Sequence, residues 1–321
     1  MSSRLLAPLL SILLACAPIG VRAWGNEGHE TVGAMADALI AGSHAEAEVR
    51  ALLKKKESLS SISVWADCAK GYCGPLTAEM KTFVQANPHH HDYHFTDVPY
   101  QLAAYQGSPV GTGDDDVVHI LGQCIAVLRD DSSNNPHAFT KRQALLLLTH
   151  LVGDIHQPLH VGTAYVDAND EFVAPNNQTE IDDGLIKATI GDNSLVHGSR
   201  PLHSYWDTDV VKTSMHRASV TSIDDFAQAM LTKHTAPAAI AGDPSAWPEK
   251  WANESLSLAK KVHDTVSVTD EFEVQDRNHT PHVAWHIDWG ANYPKTASTE
   301  GEKALTKAGY RLAQLLQAIW P

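Results

Sequence analysis

The sequence predicts a mainly α fold: a single helical domain over residues 24–321, interrupted by a small β-hairpin or loop excursion around 161–201. Three observations carry this expectation. The apolar segments mostly repeat at three- and four-residue spacing, the period of a helix face. Strand signals are few, and neither a GxGxxG nor a P-loop glycine pattern occurs. No internal repeat and no long linker divides the chain, and its 321 residues fit one long domain.

Residues 1–23 read as a signal peptide rather than as part of the fold. Arg4 supplies a positive charge, 5–14 an apolar run, and Val21-Arg22-Ala23 ends as a small-residue cleavage site does. That run is too short to span a bilayer, and no other segment reaches about 18 apolar residues. A secreted or periplasmic protein is expected. A rival reading takes Leu13-Leu14-Ala15-Cys16 as an imperfect bacterial lipid-attachment site, which would leave Trp24 internal. Cleavage after Ala23 instead starts the mature chain at Trp24-Gly25-Asn26-Glu27-Gly28-His29. A free amine and the carbonyl of the same residue form a five-membered chelate, and His29 lies close enough to join it.

Residues 30–40 and 45–54 are Ala-rich with few β-branched residues and read as helices. Asp67 follows Trp65-Ala66, with Lys70 three residues on; the plain reading of Asp67 is a turn cap. Cys68 and Cys73 can close a short loop in an oxidising compartment. Cys124, inside the apolar helical pattern 117–128, reads as a buried free thiol. The densest histidine patch is 88–97. Consecutive histidines cannot all reach one ion from a regular backbone, so His89, His90 and His91 read as surface. His94, between Tyr93 and Phe95 and followed by Asp97, has the surround of a fixed ligand. Residues 99–116 form a Gly/Asp-rich loop.

A helix over 141–152 runs into THLVGDIHQPLH at 149–160. His150 and Asp154 are four apart and share a helix face. Pro158 cannot continue a helix interior, so the chain turns near Gln157 and carries His160 to a separate position. The Asn-, Asp- and Gly-rich excursion at 161–201, with a β-like piece at 186–190, forms one wall of a site. His203 and Asp207 in LHSYWD repeat the four-residue spacing at the start of a helix over 203–213. Helices over 223–234, 248–264 and 304–320 complete the chain. His156, His282 and His286 read as surface or structural. Asn177, Asn253 and Asn278 begin glycosylation sequons, meaningful in a eukaryotic source.

A net charge of −14 with 24 Lys and Arg argues against an ordinary basic nucleic-acid surface. The 19 histidines are the abnormal figure. Imidazole with carboxylate suits zinc, and bound divalent ions would create an attractive spot for phosphate inside an acidic protein. One H-x3-D pair alone is equally a hydrogen-bonded helix surface; further ligands displace that reading.

Trp24, His29, Asp67, His94, His150, Asp154, His160, His203 and Asp207 are too many donors for one four-coordinate zinc. Their order and motifs run from WGNEGH through WAD, HFxD, HxxxDxHQPLH and LHSYWD to Trp251-Ala252-Asn253-Glu254-Ser255 and Ala308-Gly309-Tyr310-Arg311-Leu312-Ala313. The whole mature chain thereby resembles the zinc-dependent class I nucleases, the family of mung bean nuclease, the mould single-strand-specific nucleases and the 3′-nucleotidases. The resemblance implies a helical fold related to that of the three-zinc phospholipases C. It implies three Zn²⁺ ions, one held by Asp67, His94, His150 and Asp154. The second is held by the Trp24 amine and carbonyl and His29, with Asp154 bridging, and the third by His160, His203 and Asp207. Asp97 then orients the attacking water, Lys70 neutralises charge on the phosphate, Phe95 stacks on an unpaired base, and Asn193 contacts that base. The implied substrates are single-stranded DNA and RNA and 3′-nucleotides, with no stable protein partner and a monomeric enzyme. A phospholipase C is the alternative; HFxD, Lys70 and the Gly191-Asp192-Asn193 element favour the nuclease. Two features depart from the family pattern: Asp192 stands where a second glycine is usual, and 161–189 has no plain counterpart in the mould enzymes.

Overall fold

The computed structural model describes residues 24–275 and 280–321. The expected signal peptide, Cys16 within it, and Asn278 lie outside the described residues. Helices dominate, as the periodicity predicts, and small sheets decorate them.

The central element is Lys141–Asp154. Thr140 and Gln143 form a reciprocal capping box at its start, Thr140 Oγ1 accepting from the Gln143 N–H and Gln143 Oε1 from the Thr140 N–H. Such a cap contributes about 1 kcal/mol. Every residue from Ala144 to Asp154 is buried, so the run ALLLLTHLVGD has no solvent face, and its leucines are apolar on all sides. The helix ends at Asp154, two residues beyond the expected end. Gln157 then caps a short 3-10 turn, Pro158–His160.

Around this axis pack Asn26–Ile40, Val117–Leu128, Trp247–His263 and the 27-residue Tyr293–Ile319. The last begins eleven residues before the expected start at 304. Pro294 takes an early helical position, where its missing N–H costs nothing. Leu305, Leu312, Leu315 and Leu316 on it are buried at 0–1% exposure. Burial of each leucine is worth about 1.5–3 kcal/mol, which makes this helix a main contributor to the core.

The excursion at 161–201 carries strands, as expected: Phe172–Val173, Tyr165–Asp167 and Ile186–Ala188 form an antiparallel sheet in that order. A long hairpin, Val266–Gln275 with Pro281–Trp289, departs from the expected helical pattern. Its signal is the alternation VSVTDEFEV, whose acidic positions face outward. Leu195–His197 adds to it in parallel, Leu195 opposite Trp285. His286, in this hairpin, pairs with Asp270 and stacks on Phe272, an ordinary surface role. Among the described residues, no helix is long and apolar enough to cross a membrane.

Candidate active site

Two backbone devices bring distant histidines together. Val98–Pro99 pairs in parallel with Gly162–Thr163, and Thr96 N–H donates to the His160 carbonyl at 2.8 Å. This lays the His94 segment alongside the turn after Lys141–Asp154. His160 returns the contact, its Nδ1–H donating to the His94 carbonyl at 2.8 Å. At the other end, Gly25 N–H donates to the Asp207 carbonyl at 2.7 Å, which fastens the start of the first helix to LHSYWD. Trp24 beside it is fully buried. LHSYWD itself leads into a π-helical turn, Tyr205–Asp209, a form that recurs at functional sites.

The donors converge in three groups, each with its ligand atoms within 4.8 Å of one another: His29, His150 and Asp154; Asp67, His94 and His150; His160, His203 and Asp207. All are buried. Asp154 lies between the first two groups. Its Oδ1 stands 3.2 Å from His29 Nε2, and its Oδ2 3.0 Å from His94 Nδ1 and 3.1 Å from His150 Nε2. His29 can approach because residue 153 is glycine: a Cβ there would sit 2.7 Å from His29 Nδ1. In the third group, His203 Nε2 is 3.0 Å from His160 Nε2 and 3.4 Å from Asp207 Oδ2.

Three rings are oriented by backbone. Nδ1 of His150, His160 and His203 donates to the carbonyls of Ser63, His94 and Gly191 respectively. Each Nε2 therefore aims inward and, in the neutral ring, is a bare lone pair, the arrangement that prepares a histidine for metal. Two such lone pairs 3.0 Å apart repel one another unless a cation or proton lies between them. His29 Nδ1 and Nε2 and Asp154 Oδ1 are buried without a hydrogen-bond partner. Buried polar atoms are normally satisfied, so this cluster of orphans fits a divalent cation of the N/O-binding kind.

The electrostatics agree. Burial, aided by His150, lowers the His29 pKa to about 4. Burial lowers His94 to about 3, with the Lys70 charge adding to it, and His203 to about 3, with His160 adding. For His150 burial acts in the same direction, but the Asp154 and Asp67 carboxylates overcome it and raise its pKa. Burial lifts Asp207 well above the carboxylate range, with Asp67 and Asp154 as further like charges. A cation would relieve that strain directly.

Stability in the metal-free state should therefore depend on pH. Between pH 6.5 and about 4 the unfolded chain binds protons on His29, His94 and His203 that the folded chain refuses. Stability is lost as pH falls through that window, by about 2 kcal/mol per histidine at pH 5. Asp97 and Asp207, whose raised pKa values let the folded chain take up protons as pH falls, offset part of that loss. The melting temperature of chelated protein should therefore fall further between pH 7.5 and pH 5 in Asp97→Asn than in the unmodified protein. An equal fall in the two proteins would show that Asp97 gains no proton in that range.

Beside the donors opens a cavity of about 220 Å³ lined by Lys70, Tyr72, Phe95, Asp97, His160, Ile190, Asn193 and His203, among others. Lys70 reaches Asp67 Oδ1 at 2.8 Å from inside the loop closed by the Cys68–Cys73 disulfide. Cys124 is free and buried, as expected. Phe95 is half-buried on the cavity wall. Asp97 presents Oδ1 buried and unpartnered, and burial together with the Asp192 charge raises its pKa to about 7. Asn193 lines the cavity but donates its amide to the Ile190 carbonyl at 2.8 Å.

Every expected side-chain donor lies in one of the three groups, and every expected substrate-facing residue lines the cavity. His156 is structural, its ring held between the Val152 carbonyl and Arg311. Of the run 89–91, His90 is buried rather than on the surface, its Nδ1 bonded to the Asn87 carbonyl. Two further positions support the site without being evident from the motifs' donors. Gln157 donates to Asp207 Oδ1 at 2.7 Å while accepting from Leu159 N–H, so the HQPLH motif carries its signal. His263 pairs with Asp192 across 71 residues, and no local pattern announces it.

Comparison with known proteins gives a consistent result. The family profile described as S1/P1 Nuclease matches residues 24–321. Nuclease S1 of Aspergillus oryzae is 24% identical over 332 residues, covering 98% of this chain and 97% of that protein. Endonuclease 1 of Arabidopsis thaliana is 27% identical over 281 residues (81% and 80%), and Endonuclease 4 of the same plant 26% identical over 306 (94% and 90%).

Proposed function

Because the chain belongs to the S1/P1 nuclease family and is a hydrolase of phosphoester bonds in nucleic acids, we propose that it cuts single-stranded DNA and RNA to 5′-phosphate products and removes the phosphate of 3′-nucleotides. The observation that carries this reading is the placing of three His/Asp groups beside one cavity with an aromatic wall.

Three Zn²⁺ ions are the proposed cofactors. Asp67, His94, His150 and Asp154 would hold one. His29 and Asp154, with the amine and carbonyl of Trp24, would hold the second, and His160, His203 and Asp207 the third. His150 Nε2 faces both of the first two groups. Zinc, when bound, supplies Lewis acidity that lowers the pKa of a water toward neutrality and offsets phosphoryl charge. The protein's own residues do the rest. Asp97 Oδ1 accepts a hydrogen bond from the attacking water and aims it in line at phosphorus. The Lys70 ammonium neutralises charge growing on a non-bridging oxygen. The P–O3′ bond breaks, the phosphate staying on the 5′ oxygen of the downstream product and the released 3′ oxygen taking up a proton. Phe95 stacks on a base and Asn193 meets its edge, which selects unpaired strands because a paired base does not offer its face.

The Trp24 amine is available only after cleavage at Ala23; the family match beginning at residue 24 and the buried, fastened start of the first helix support that boundary. Export follows from the same cleavage, and the enzyme acts as a monomer without a protein partner.

Single-stranded DNA and phosphatidylcholine, offered in parallel, test the substrate. Hydrolysis of the DNA with 5′-phosphate ends is expected, and cleavage of lipid alone would overturn the reading in favour of a phospholipase C. In the same assay Asp97→Asn should keep its metal and lose roughly two to three orders of magnitude in kcat. Undiminished turnover would remove Asp97 from the mechanism.

A further inference from the structure

The loop that holds His203 is bent in an unusual way. Ile190, Gly191 and Asp192 all have left-handed backbone, at φ 59°, 57° and 62°. Glycine accepts that conformation freely and aspartate tolerates it, but a β-branched isoleucine does not, so the surroundings must hold it. Directly beneath, Asp192 is fully buried and accepts the Ala164 N–H at 2.9 Å on one carboxylate oxygen. Its other oxygen takes His263 Nε2–H at 2.7 Å. His263 donates its remaining N–H to the Ala259 carbonyl at 2.7 Å. Both ring nitrogens thus face acceptors, and the contact with Asp192 is a fully buried salt bridge. Tyr100 stacks flat on that ring, with centroids 4.0 Å apart and planes within 5°. The bend then delivers the Gly191 carbonyl to His203 Nδ1 and the Asp192 carbonyl to His203 N–H.

We propose that Asp192 and His263 are positioning residues for the third metal group: their ion pair clamps the left-handed bend to the end of Trp247–His263, so that Gly191 holds the His203 proton on Nδ1 and leaves Nε2 facing His160 and Asp207. Neither residue touches the cavity's substrate-facing side chains through the contacts above; they act through His203. The inference rests on the three-ion reading, and it accounts for an aspartate at a position where glycine would satisfy the backbone alone.

Zinc titration against a chromophoric chelator, with zinc content measured after dialysis, tests it. The unmodified protein should bind three equivalents. In Asp192→Gly, which keeps the backbone conformation and removes the clamp, one equivalent should weaken about 10–100-fold while the other two keep their affinity. His263→Gln should weaken the same equivalent, and it is the deciding variant if Asp192→Gly does not melt cooperatively. Asp192→Asn with His263→Gln, which restores a neutral hydrogen bond, should recover most of the loss. Three equivalents at unchanged affinity in both single variants would overturn the proposal, as would equal weakening of all three. Fewer than three equivalents in the unmodified protein would sink the three-ion reading, and this inference with it.

Discussion

Asp154→Asn is expected to lower kcat/KM on single-stranded DNA by roughly three to four orders of magnitude, about 4–5 kcal/mol of transition-state stabilisation. The change is almost isosteric, so packing is preserved and chemistry alone is altered. Asp154 is the one carboxylate whose two oxygens face different groups, Oδ1 toward His29 and Oδ2 toward His94 and His150. An amide there presents an N–H where a cation needs a lone pair. On the three-zinc reading proposed above, two of the three equivalents should be lost together, while the group built on His160, His203 and Asp207 should fill as before. Elemental analysis beside the kinetic assay separates the outcomes: full metal content with full activity would exclude a bridging role.

The second large effect is that of metal removal. Exhaustive chelation should abolish activity and lower the melting temperature by roughly 15–30 °C, a figure built from the following magnitudes. The donors come from the start of the first helix, Trp65–Ala69, the His94 segment, Lys141–Asp154, the turn after it and LHSYWD. Ions held among them would add cross-links to segments that otherwise meet through packing and a few backbone hydrogen bonds. An ion present at about a hundred times its Kd contributes roughly 2.7 kcal/mol per site, and each kcal/mol moves a large domain by about 2–4 °C. Calorimetry before chelation, after it, and after readdition of zinc provides the check. An unchanged transition in the chelated protein would mean that the buried carboxylates and rings are satisfied without a cation, contrary to the orphaned atoms of His29 and Asp154.

Much of the site is legible in the sequence because its donors sit in short motifs. His150 with Asp154, and His203 with Asp207, are each four apart, and a helical turn converts that spacing into proximity without help from the rest of the fold. The all-apolar run 144–148 likewise announces a helix with no solvent face. Other features need neighbours. Tyr293–Ile319 starts early because its first turns pack on other elements, although Gly301 interrupts their helical pattern. The hairpin Val266–Gln275 with Pro281–Trp289 is strongly polar on one side, and few of its residues are buried, so its apolar alternation is weak.

What the sequence determined by itself is the donor inventory, its pairing at four-residue intervals, and the helical class, since all three follow from local periodicity and residue chemistry. What only the tertiary structure decided is how those pairs face one another. The parallel pairing of Val98–Pro99 with Gly162–Thr163 sets His94 against His160, and the carbonyls of Ser63, His94 and Gly191 choose which ring nitrogen is bare. The Asp192–His263 ion pair joins residues 71 apart. Contacts of that range arise from the packing of whole helices and loops, and a hydrogen bond to a distant carbonyl leaves no mark in the residues beside it.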